Sequence, residues 1–315
     1  MTASAGRSVD VIIPTYRPDE RFIRTLELLG ASTYPIAHIR IINTERRYFE
    51  ELTEEHSIPA SVRSITSVIH ITPEEFDHGG TRRMAVEQSD SDYFVMMTQD
   101  ALPCDGTLIE KLIAPLNLDD GIAVSYARQL PAPGASETEK YIRGFNYPAR
   151  PVVKSSRDVY TLGVKAYFCS NVCAAYRRTY YDEAGGFVSR TIFNEDMILA
   201  AALMKKGYSV SYTAGACVYH SHNYNCRQQF KRNFDLAVSQ AEHPEVFAGV
   251  SSESEGMRMV RGCIAHLKSV HKPYLIPGFI LNCGARFLGF RLGKKYKLIP
   301  KGIRRLISSQ PLYWA

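Results

Sequence analysis

The stretch that decides the fold is residues 93–103, Tyr-Phe-Val-Met-Met-Thr-Gln-Asp-Ala-Leu-Pro. Its first five residues are mostly apolar, which is typical of a strand buried on both faces of a parallel sheet. The strand ends in Thr98, Gln99 and Asp100, because Pro103 prevents its continuation. Ligands of open α/β sheets bind beyond the carboxyl ends of the strands, so Asp100 stands where a metal ion and a phosphate-bearing substrate would meet. The alternative is an aspartate that hydrogen-bonds its own turn.

Strands and helices alternate on both sides of this stretch. Residues 9–14 form a β-branched strand that ends at Pro14-Thr15-Tyr16, and a helix opens at residues 18–20. Further strands are predicted at residues 38–42, 67–71, 122–126, 210–212 and 216–222, and helices at 105–116 and before Ser89. This alternation predicts an α/β fold with a Rossmann-like, mostly parallel central sheet, right-handed crossovers and flanking helices. Residues 129–160 lack periodicity, and we expect them to form a lid or an acceptor-side loop.

Composition divides the chain into two parts. At 315 residues and 45% hydrophobic content, we expect a main domain at residues 1–250 and an appendage at 251–315. No Asp or Glu follows Glu255, so the chain of net charge +6 consists of a tail with twelve Lys and Arg and a body of charge −6. The tail requires an anionic partner. The seven cysteines include no CxxC pair, and residues 1–8 contain no apolar signal core, which predicts a cytoplasmic protein with reduced thiols.

The tail has the pattern of a helix that lies on a membrane surface. Apolar residues recur at helical spacing from Ile276 to Phe287, and basic residues from Arg286 to Lys297 flank them. The apolar run is shorter than the roughly 20 residues of a spanning helix, and Arg286 interrupts it. The sequence therefore predicts a peripheral protein on the anionic inner face of the cell membrane. A basic helix packed on the main domain is the alternative.

Residues 77–83, Asp-His-Gly-Gly-Thr-Arg-Arg, precede a helix and are a candidate diphosphate-binding segment. Glycines such as Gly79 allow the backbone to approach a ligand, the helix amino terminus favours anions, and Arg82 offers forked donors to phosphate. A glycine turn before a solvated basic helix is the alternative, since the segment matches no established phosphate-loop pattern.

A second polar cluster, Asn194-Glu195-Asp196, precedes the apolar residues 197–204. Asn194 is predicted to cap a buried helix that ends at Gly207. Both carboxylates then lie in the first turn, where the helix dipole favours the ionised form that a general base requires. Ordinary acidic capping of the helix is the alternative.

Two pairs of side chains could bind a metal ion. His220 and His222 point to the same face of an extended segment, although such a pair more often packs or hydrogen-bonds. Cys169 and Cys173 match no common zinc spacing, so packing is the better interpretation for them.

The motifs occur in order along the chain: Pro-Thr-Tyr at 14–16, Thr-Gln-Asp-Ala-Leu-Pro at 98–103, Glu-Asp at 195–196 and His-Ser-His at 220–222. This order resembles the family-two inverting glycosyltransferases, which have the nucleotide-sugar-binding A-type fold. Five further motifs narrow the resemblance to a subgroup of this family. They are Phe-Asp-His-Gly-Gly-Thr-Arg at 76–82, Tyr-Ala-Arg-Gln-Leu-Pro at 126–131, Phe-Asn-Tyr-Pro at 145–148, Ser-Asn at 170–171 and Asn-Tyr at 223–224. The narrower resemblance is to the bacterial rhamnosyltransferase subgroup, over roughly residues 9–235.

The resemblance implies a metal site. The family's metal-binding Asp-x-Asp appears here as Thr98-Gln99-Asp100, so only the second acid is present. A histidine often completes the coordination in such enzymes; His220 matches it best, with His222 a close second. The implied cofactor is a divalent cation, Mg²⁺ or Mn²⁺.

The resemblance also implies the other roles. Asp196 would be the general base, with Glu195 in support, and Arg82 would lie near the diphosphate. Asn43 replaces the acid that usually contacts the base or ribose. The implied nucleotide-sugar-binding residues are Pro14, Thr15, Tyr16, Asn43, Asp77, Gly79, Arg82, Thr98, Gln99 and Asp100, and the implied acceptor-binding residues are Arg128, Gln129 and Asn171.

The implied function is inverting transfer of L-rhamnose from dTDP-L-rhamnose to a lipid-linked oligosaccharide of a surface polysaccharide. A UDP-hexose donor is the alternative within the same class. A nucleotidyltransferase is less favoured, because no glycine-rich loop with Lys follows the first strand. The alternative of a basic protein that binds nucleic acid is supported only by the tail, since the body contains no zinc-finger spacing and no RNA-recognition signature.

Overall fold

The computed structural model of the protein describes residues 7–249 and 253–315. The boundary expected between residues 250 and 251 lies outside these residues, as does most of segment 1–8. Within them the chain forms a nine-stranded sheet with a hydrophobic core on each face. The strands are β1 (Val9–Tyr16), β2 (His38–Thr44), β3 (Thr66–Ile71), β4 (Tyr93–Met97), β5 (Leu102–Pro103), β6 (Ile122–Leu130), β7 (Val152–Lys154), β8 (Cys173–Arg177) and β9 (Ser209–Tyr219).

Six strands of the described sheet run in one direction, as the sequence predicts for a mostly parallel sheet. The order is β3-β2-β1-β4-β8-β6-β9-β5, with β7 on β9. β3, β2, β1 and β4 are parallel neighbours, and β6 is parallel to β9. β8 is antiparallel to both β4 and β6, which sets these six strands in the same direction. Their carboxyl ends therefore share one edge of the sheet with the amino end of β8.

Helices cover both faces of the sheet. They are α1 (Glu20–Gly30), α2 (Arg46–Glu55), α3 (Ala60–Arg63), α4 (His78–Glu87), α5 (Leu108–Leu118), α6 (Glu137–Asn146), α7 (Val159–Leu162), α8 (Arg178–Glu183), α9 (Glu195–Lys205), α10 (Cys226–Glu242), α11 (Pro244–Phe247), α12 (Glu253–Ser269), α13 (Ile276–Lys294) and α14 (Lys301–Ile307). Val11 and Ile13 of β1 pack into one core with α1 and α5, whereas Ile12 packs into the other with α9. This alternation of neighbouring residues is what a strand buried on both faces requires.

Two predictions about local structure are wrong. Residues 129–160 are not an irregular loop, because they contain the end of β6, α6, β7 and the start of α7. Ser136 begins α6, with its side chain accepting from the backbone N–H of Glu139. The separate strands expected at 210–212 and 216–222 are one strand, β9, whose pairing with β6 shifts register at Ala127/Arg128.

The ends of α9 differ in how well they were predicted. Gly207, with φ of +94°, lies just beyond the end of α9, as predicted. Asn194 precedes the helix but its side chain makes no capping bond. Its φ is +62°, and its Nδ2 donates instead to the carbonyl of Leu236. Asparagine tolerates this left-handed backbone conformation. The side chain of Asn194 therefore joins the start of α9 to α10 and does not cap α9.

In the C-terminal part of the chain, α13 packs in close contact with α10. A Cβ on Gly289 would lie 2.2 Å from the carbonyl oxygen of Phe230, and one on Gly293 would lie 2.3 Å from that of Phe234. Only glycine permits this approach at either position. One face of the tail is therefore part of the protein interior, as the alternative interpretation of the basic tail expected.

Candidate active site

The carboxyl edge of the sheet brings together side chains from four strands. Asp100 follows β4, Gln129 lies near the end of β6, His220 follows β9, and Asn171 precedes β8. Together with the start of α9 they line a cavity of about 530 Å³, here named the catalytic cavity. Residues of α6, α10 and α13 form its other side. The cavity therefore lies where open α/β sheets bind ligands.

Asp100, His220 and His222 form a candidate metal site. Nε2 of His222 lies 3.2 Å from Oδ2 of Asp100, and Nε2 of His220 lies 3.6 Å from the same oxygen. The possible ligand atoms of the three residues all lie within 4.8 Å of one another. One cation could therefore contact all three side chains.

The protonation states of these residues suit a cation. Burial lowers the pKa of His220 to about 3 and also lowers the pKa of His222, although the charge of Asp100 opposes both shifts. Burial works against the charge of Asp100, but His220 and other neighbouring groups outweigh it and lower the pKa of the carboxyl group. At neutral pH the imidazoles are neutral and the carboxylate is ionised, as metal coordination requires.

Gln129 orients one of the possible metal ligands. Its Oε1 lies 2.9 Å from Nδ1 of His220, and it also accepts a hydrogen bond from Arg143. Its Nε2 donates to the hydroxyl of Ser170 at 2.9 Å. Because the amide oxygen can only accept, Nδ1 of His220 carries the proton and Nε2 keeps its lone pair for a metal. Gln129 was expected to bind acceptor, but its amide is committed to protein partners.

Thr98 gives a further reason to expect a polar ligand beside the cluster. Its hydroxyl is buried, lines the catalytic cavity and makes no well-aligned hydrogen bond within the described residues, and it lies near enough to Asp100 to help lower the pKa of that carboxyl group. A buried hydroxyl without a well-aligned partner is costly, so a metal-bound oxygen would satisfy it. One carboxylate and two imidazoles fit a divalent cation, and the imidazoles favour Mn²⁺ over Mg²⁺, which prefers oxygen ligands.

Glu195 and Asp196 begin α9 and have different neighbours. Oε1 of Glu195 lies 3.3 Å from Nε of Arg82 and accepts from Nδ2 of Asn171 at 3.1 Å. Asp196 accepts from the backbone N–H groups of Asn171 at 3.0 Å and Met197 at 2.8 Å. Glu195 is only 5% exposed, whereas Asp196 is partly exposed and lines the catalytic cavity. Asn171 therefore holds both carboxylates, and Asp196 is the more accessible of the two.

The two carboxylates have pKa values that move in opposite directions. Burial opposes the charge of Glu195, but the guanidinium of Arg82 together with other neighbouring groups, among them the amide of Asn171, outweighs burial and lowers the pKa of Glu195. Burial and the charge of Glu195 together raise the pKa of Asp196 to about 7. A carboxylate with a pKa near the working pH can accept a proton more readily than an ordinary one. The difference follows from Arg82, which forms an ion pair with Glu195, whereas at Asp196 its effect is smaller than those of burial and of the Glu195 charge.

A second cavity, named here the outer cavity, has a volume of about 820 Å³. Tyr16 at the end of β1 and Asp77 before α4 line it. His78 lines both cavities, so the two adjoin. Segments 189–192 and 309–313 contribute the remaining wall together with Ala315 and residues 73–76. A cavity of this size is in the range that holds small-molecule ligands.

Some residues expected to bind the nucleotide sugar hold the strand ends instead. The side chain of Asn43 is completely buried, accepts from the hydroxyl of Thr15 at 3.1 Å, and lies 3.1 Å from Nδ1 of His70. Gln99 accepts from the backbone N–H of Tyr16 at 2.7 Å and donates to its carbonyl at 2.9 Å. These bonds fasten the ends of β1, β2 and β4 to each other. Tyr16 itself is exposed.

Asp77 and Gly79 contribute to the packing of α4. Oδ1 of Asp77 accepts from the backbone N–H groups of Gly80 at 2.5 Å and Arg190 at 2.9 Å. A Cβ on Gly79 would lie 1.7 Å from the carbonyl oxygen of Val188. The glycine therefore allows close approach of the protein's own backbone, and not of a ligand as the sequence suggested.

Pro14 and Arg128 line neither cavity in the described part of the chain. Pro14 lies within β1, where it pairs with Ile42. Arg128 donates from Nε to the carbonyl of Tyr147 at 3.1 Å. Its neighbour Gln129 lines the catalytic cavity, and successive strand residues point to opposite faces. Arg128 is therefore not placed to contact an acceptor in that cavity.

Three arginines of the catalytic cavity were not predicted from the sequence. Arg143 of α6 pairs with Glu139 at 2.7 Å, and Arg232 of α10 lies 4.7 Å from the ring centroid of Phe193. Arg286 of α13 makes no hydrogen bond or ion pair within residues 7–249 and 253–315, and burial lowers the pKa of its guanidinium. The one available signal was that Arg286 interrupts the apolar face of its helix. An unpaired guanidinium in a cavity indicates an anionic ligand.

The chain is similar to known glycosyltransferases. The family described as glycosyl transferase family 2 matches residues 10–185. The O-antigen chain rhamnosyltransferase RfbN of Salmonella typhimurium is 36% identical over 312 residues, covering 97% of this chain and 96% of that protein. The corresponding WbaN of Salmonella anatum is 39% identical over 252 residues, or 79% of each chain. The mannosyltransferase PcManGT of Pyrobaculum calidifontis, solved with GDP-Man and Mn²⁺, shares the fold with a TM-score of 0.56 at 13% identity, covering 99% of this chain and 86% of that one.

Proposed function

The chain belongs to glycosyl transferase family 2, and from this premise we propose that it transfers L-rhamnose from dTDP-L-rhamnose to a lipid-linked oligosaccharide during O-antigen synthesis. The names of two relatives, both O-antigen chain rhamnosyltransferases, support the sugar and the pathway. The structural observation that carries the chemistry is the meeting of Asp196 with the Asp100, His220 and His222 cluster in one cavity.

The proposed reaction is a single displacement with inversion. The carboxylate of Asp196 takes the proton of an acceptor hydroxyl, and that oxygen forms a bond to the anomeric carbon of the donor sugar. The bond from this carbon to the diphosphate oxygen breaks, and the nucleoside diphosphate leaves. Asn171 and Met197 hold Asp196 through their backbone N–H groups, so the base is in position before the acceptor arrives.

Asp100, His220 and His222 would hold the divalent cation in this proposal. A bound cation supplies positive charge to the departing diphosphate. Gln129 keeps the lone pair of His220 available at Nε2, as described above. The buried hydroxyl of Thr98 offers a hydrogen bond to an oxygen bound at this place.

A donor panel tests the choice of nucleotide sugar. We expect dTDP-L-rhamnose to give a higher kcat/KM for transfer than UDP-glucose, UDP-galactose or GDP-mannose, each assayed with Mn²⁺ and the same membrane-extracted acceptor. Release of the nucleoside diphosphate is the measurement. A UDP-hexose that outcompetes dTDP-L-rhamnose would contradict the donor assignment, while the assignment to glycosyl transfer would stand. Release of pyrophosphate would instead indicate nucleotidyl transfer.

The arginines of α10 and α13 support an anionic acceptor. Arg286 and Arg232 face the catalytic cavity from the side of the C-terminal helices, and Arg286 lacks a partner in the described residues. The same helix α13 presents an apolar surface on its other side. A lipid-linked oligosaccharide combines these two features, because it joins a phosphate-bearing head group to an apolar chain. The sequence assigned Arg286 to the membrane-facing side, but it lines the cavity.

The outer face of the C-terminal helices supports docking on a membrane. Helix 273–294 is long and apolar enough to cross a bilayer by length and composition, and its most apolar stretch of 18 residues has a mean hydropathy of 1.2 and is 11% buried. Because Gly289 and Gly293 press one face of α13 onto α10, we propose that this helix docks on the membrane without crossing it. The exposed apolar residues are Ile280, Leu281, Phe287, Leu288, Leu292, Leu298, Ile303 and Leu306, and the exposed basic residues near them are Lys294, Lys295, Lys297, Lys301 and Arg305.

Flotation with liposomes tests this proposed membrane face. We expect the full-length protein to float with vesicles that contain anionic lipid at low salt, and to be released as salt screens the basic residues. The double variant Phe287→Glu, Leu288→Glu should float much less, because two exposed apolar side chains become acidic. Leu118→Glu is the matched control, since Leu118 is 87% exposed at the end of α5. A wild-type protein that stays in the soluble fraction would contradict membrane docking.

A further inference from the structure

The C-terminal segment 308–315 lies against the outer cavity. Asp235 of α10, which is completely buried, holds the start of this segment. Its carboxylate accepts from the hydroxyl of Ser308 at 2.6 Å and from the backbone N–H of Ser309 at 2.7 Å. The hydroxyl of Ser309 also donates to this carboxylate, so three hydrogen bonds to one buried group attach the segment to α10.

The end of the segment is also attached. Trp314 is buried and packs with Phe234 of α10 and Tyr296. The hydroxyl of Tyr313 donates to Glu242 at 2.8 Å. Both ends of the segment are therefore fixed to α10, and the residues between them are held in place.

The residues between these attachments face the outer cavity. Nε2 of Gln310 lies 3.3 Å from Nε2 of His78, the residue that lines both cavities. Leu312 lines the outer cavity and is 40% exposed. Tyr16 lies on the cavity wall formed by the end of β1 and is 47% exposed. An apolar side chain, an aromatic ring and an amide thus surround an open space beside the catalytic cavity.

We propose that segment 308–315 forms one wall of the site that binds the nucleoside of the donor. The proposal rests on the proposed function, in which the diphosphate lies at the Asp100 cluster in the adjoining cavity. A nucleoside attached to that diphosphate must extend past His78 or back toward the acceptor side. The outer cavity has the volume for it, and Tyr16 and Leu312 supply surfaces on which a base can pack. Gln310 supplies an amide that can donate and accept hydrogen bonds.

Leu312→Glu tests the proposal by placing a carboxylate in the outer cavity. We expect the Kd for dTDP, measured by calorimetry with saturating Mn²⁺, to rise about tenfold or more, because a carboxylate replaces an apolar surface on which the base would pack and also repels the anionic diphosphate nearby. Leu118→Glu, the matched control used above, should bind dTDP as the wild type does. Gln310→Ala is a second variant with a smaller expected rise, and it changes no apolar contact.

The fluorescence of Trp314 gives an independent readout. Trp314 is the one tryptophan in the chain, so its emission reports on this segment alone. We expect dTDP to change the emission of the wild type, and to do so in Leu312→Glu only at correspondingly higher concentration. If Leu312→Glu and Gln310→Ala both bind dTDP with the affinity of the wild type, the proposal is overturned. Normal rhamnosyl transfer by the wild-type enzyme would not rescue it. A wild-type protein that binds UDP but not dTDP would contradict the donor assignment, and the variants would then be compared with UDP.

Discussion

Asp196→Asn is expected to reduce kcat for rhamnosyl transfer by about 10² to 10⁴, the range typical for loss of a general base. The dTDP affinity should remain close to that of the wild type, because Asp196 bonds to Asn171 and Met197 and is not one of the three candidate metal ligands. The amide keeps the size of the carboxylate but cannot accept the proton. Single-turnover rates and calorimetric Kd values for dTDP give the two quantities separately. Near-normal transfer by Asp196→Asn would contradict the assignment.

The pH dependence of kcat adds a second test of the same residue. The base works in its ionised form, and burial with the charge of Glu195 raises the pKa of Asp196 to about 7. The rate should therefore fall about tenfold for each pH unit below the pKa and level off above it. In Glu195→Gln the charge that raises this pKa is absent, so the acidic limb should move to lower pH. If the acidic limb of the kcat profile of Glu195→Gln lies at the same pH as that of the wild type, Glu195 does not act on the titrating group.

Glu195→Gln should also lose less activity on the alkaline plateau than Asp196→Asn. Glu195 is buried beside Arg82 and does not need to contact the acceptor to exert its effect. The sequence favoured the second acid of the pair on family resemblance, and it could not supply the reason. The reason is a contact between residues more than a hundred positions apart: Arg82 pairs with Glu195, whereas at Asp196 burial and the charge of Glu195 prevail.

Local pattern was sufficient to predict a mostly parallel sheet and its six strands that run in one direction, but not the order of the strands or the presence of β5, β7 and β8. Residues 93–97 are apolar on both faces, and Asp100 follows at the carboxyl edge, as this pattern indicates. Local pattern was not sufficient at Asn43 and Gln99. Both are polar residues at strand ends, which is the usual position for ligand contacts, but each is engaged by a neighbouring strand. Which partner such a side chain finds depends on packing between strands.

Distance along the chain explains the features that the sequence did not predict. Gln129 and His220 are 91 positions apart, and Gln310 and His78 are 232 positions apart. No rule of sequence spacing predicts either contact. The first forms only when β6 pairs with β9, and the second only when the C-terminal segment packs beside α4. Arg286 is similar, since helical periodicity gives the face of a helix but not the neighbour against which that face packs.

Asp100→Asn is the variant with the second large expected effect, because it removes the only carboxylate of the Asp100, His220 and His222 cluster. We expect the affinity for Mn²⁺ to fall by about 10² or more, since two neutral imidazoles remain without an anionic ligand. Gln129→Leu should lower Mn²⁺ affinity by a smaller factor of about ten, because His220 keeps its nitrogen but loses the bond that orients it. Manganese titration by electron paramagnetic resonance measures both without reference to catalysis.

Donor binding by Asp100→Asn should depend on the metal in a diagnostic way. With Mn²⁺ present, the wild type should bind dTDP more tightly than the variant, because the diphosphate and the cation bind together. With EDTA present, the two proteins should bind dTDP equally weakly, since the difference between them is the metal site. Asp105→Asn is the matched control: Asp105 is exposed, bonds to Thr107 and Lys111, and should leave both affinities unchanged. Equal dTDP affinities of wild type and Asp100→Asn in Mn²⁺ would contradict a metal role for this cluster, because a carboxylate that holds the cation cannot be neutralised without loss.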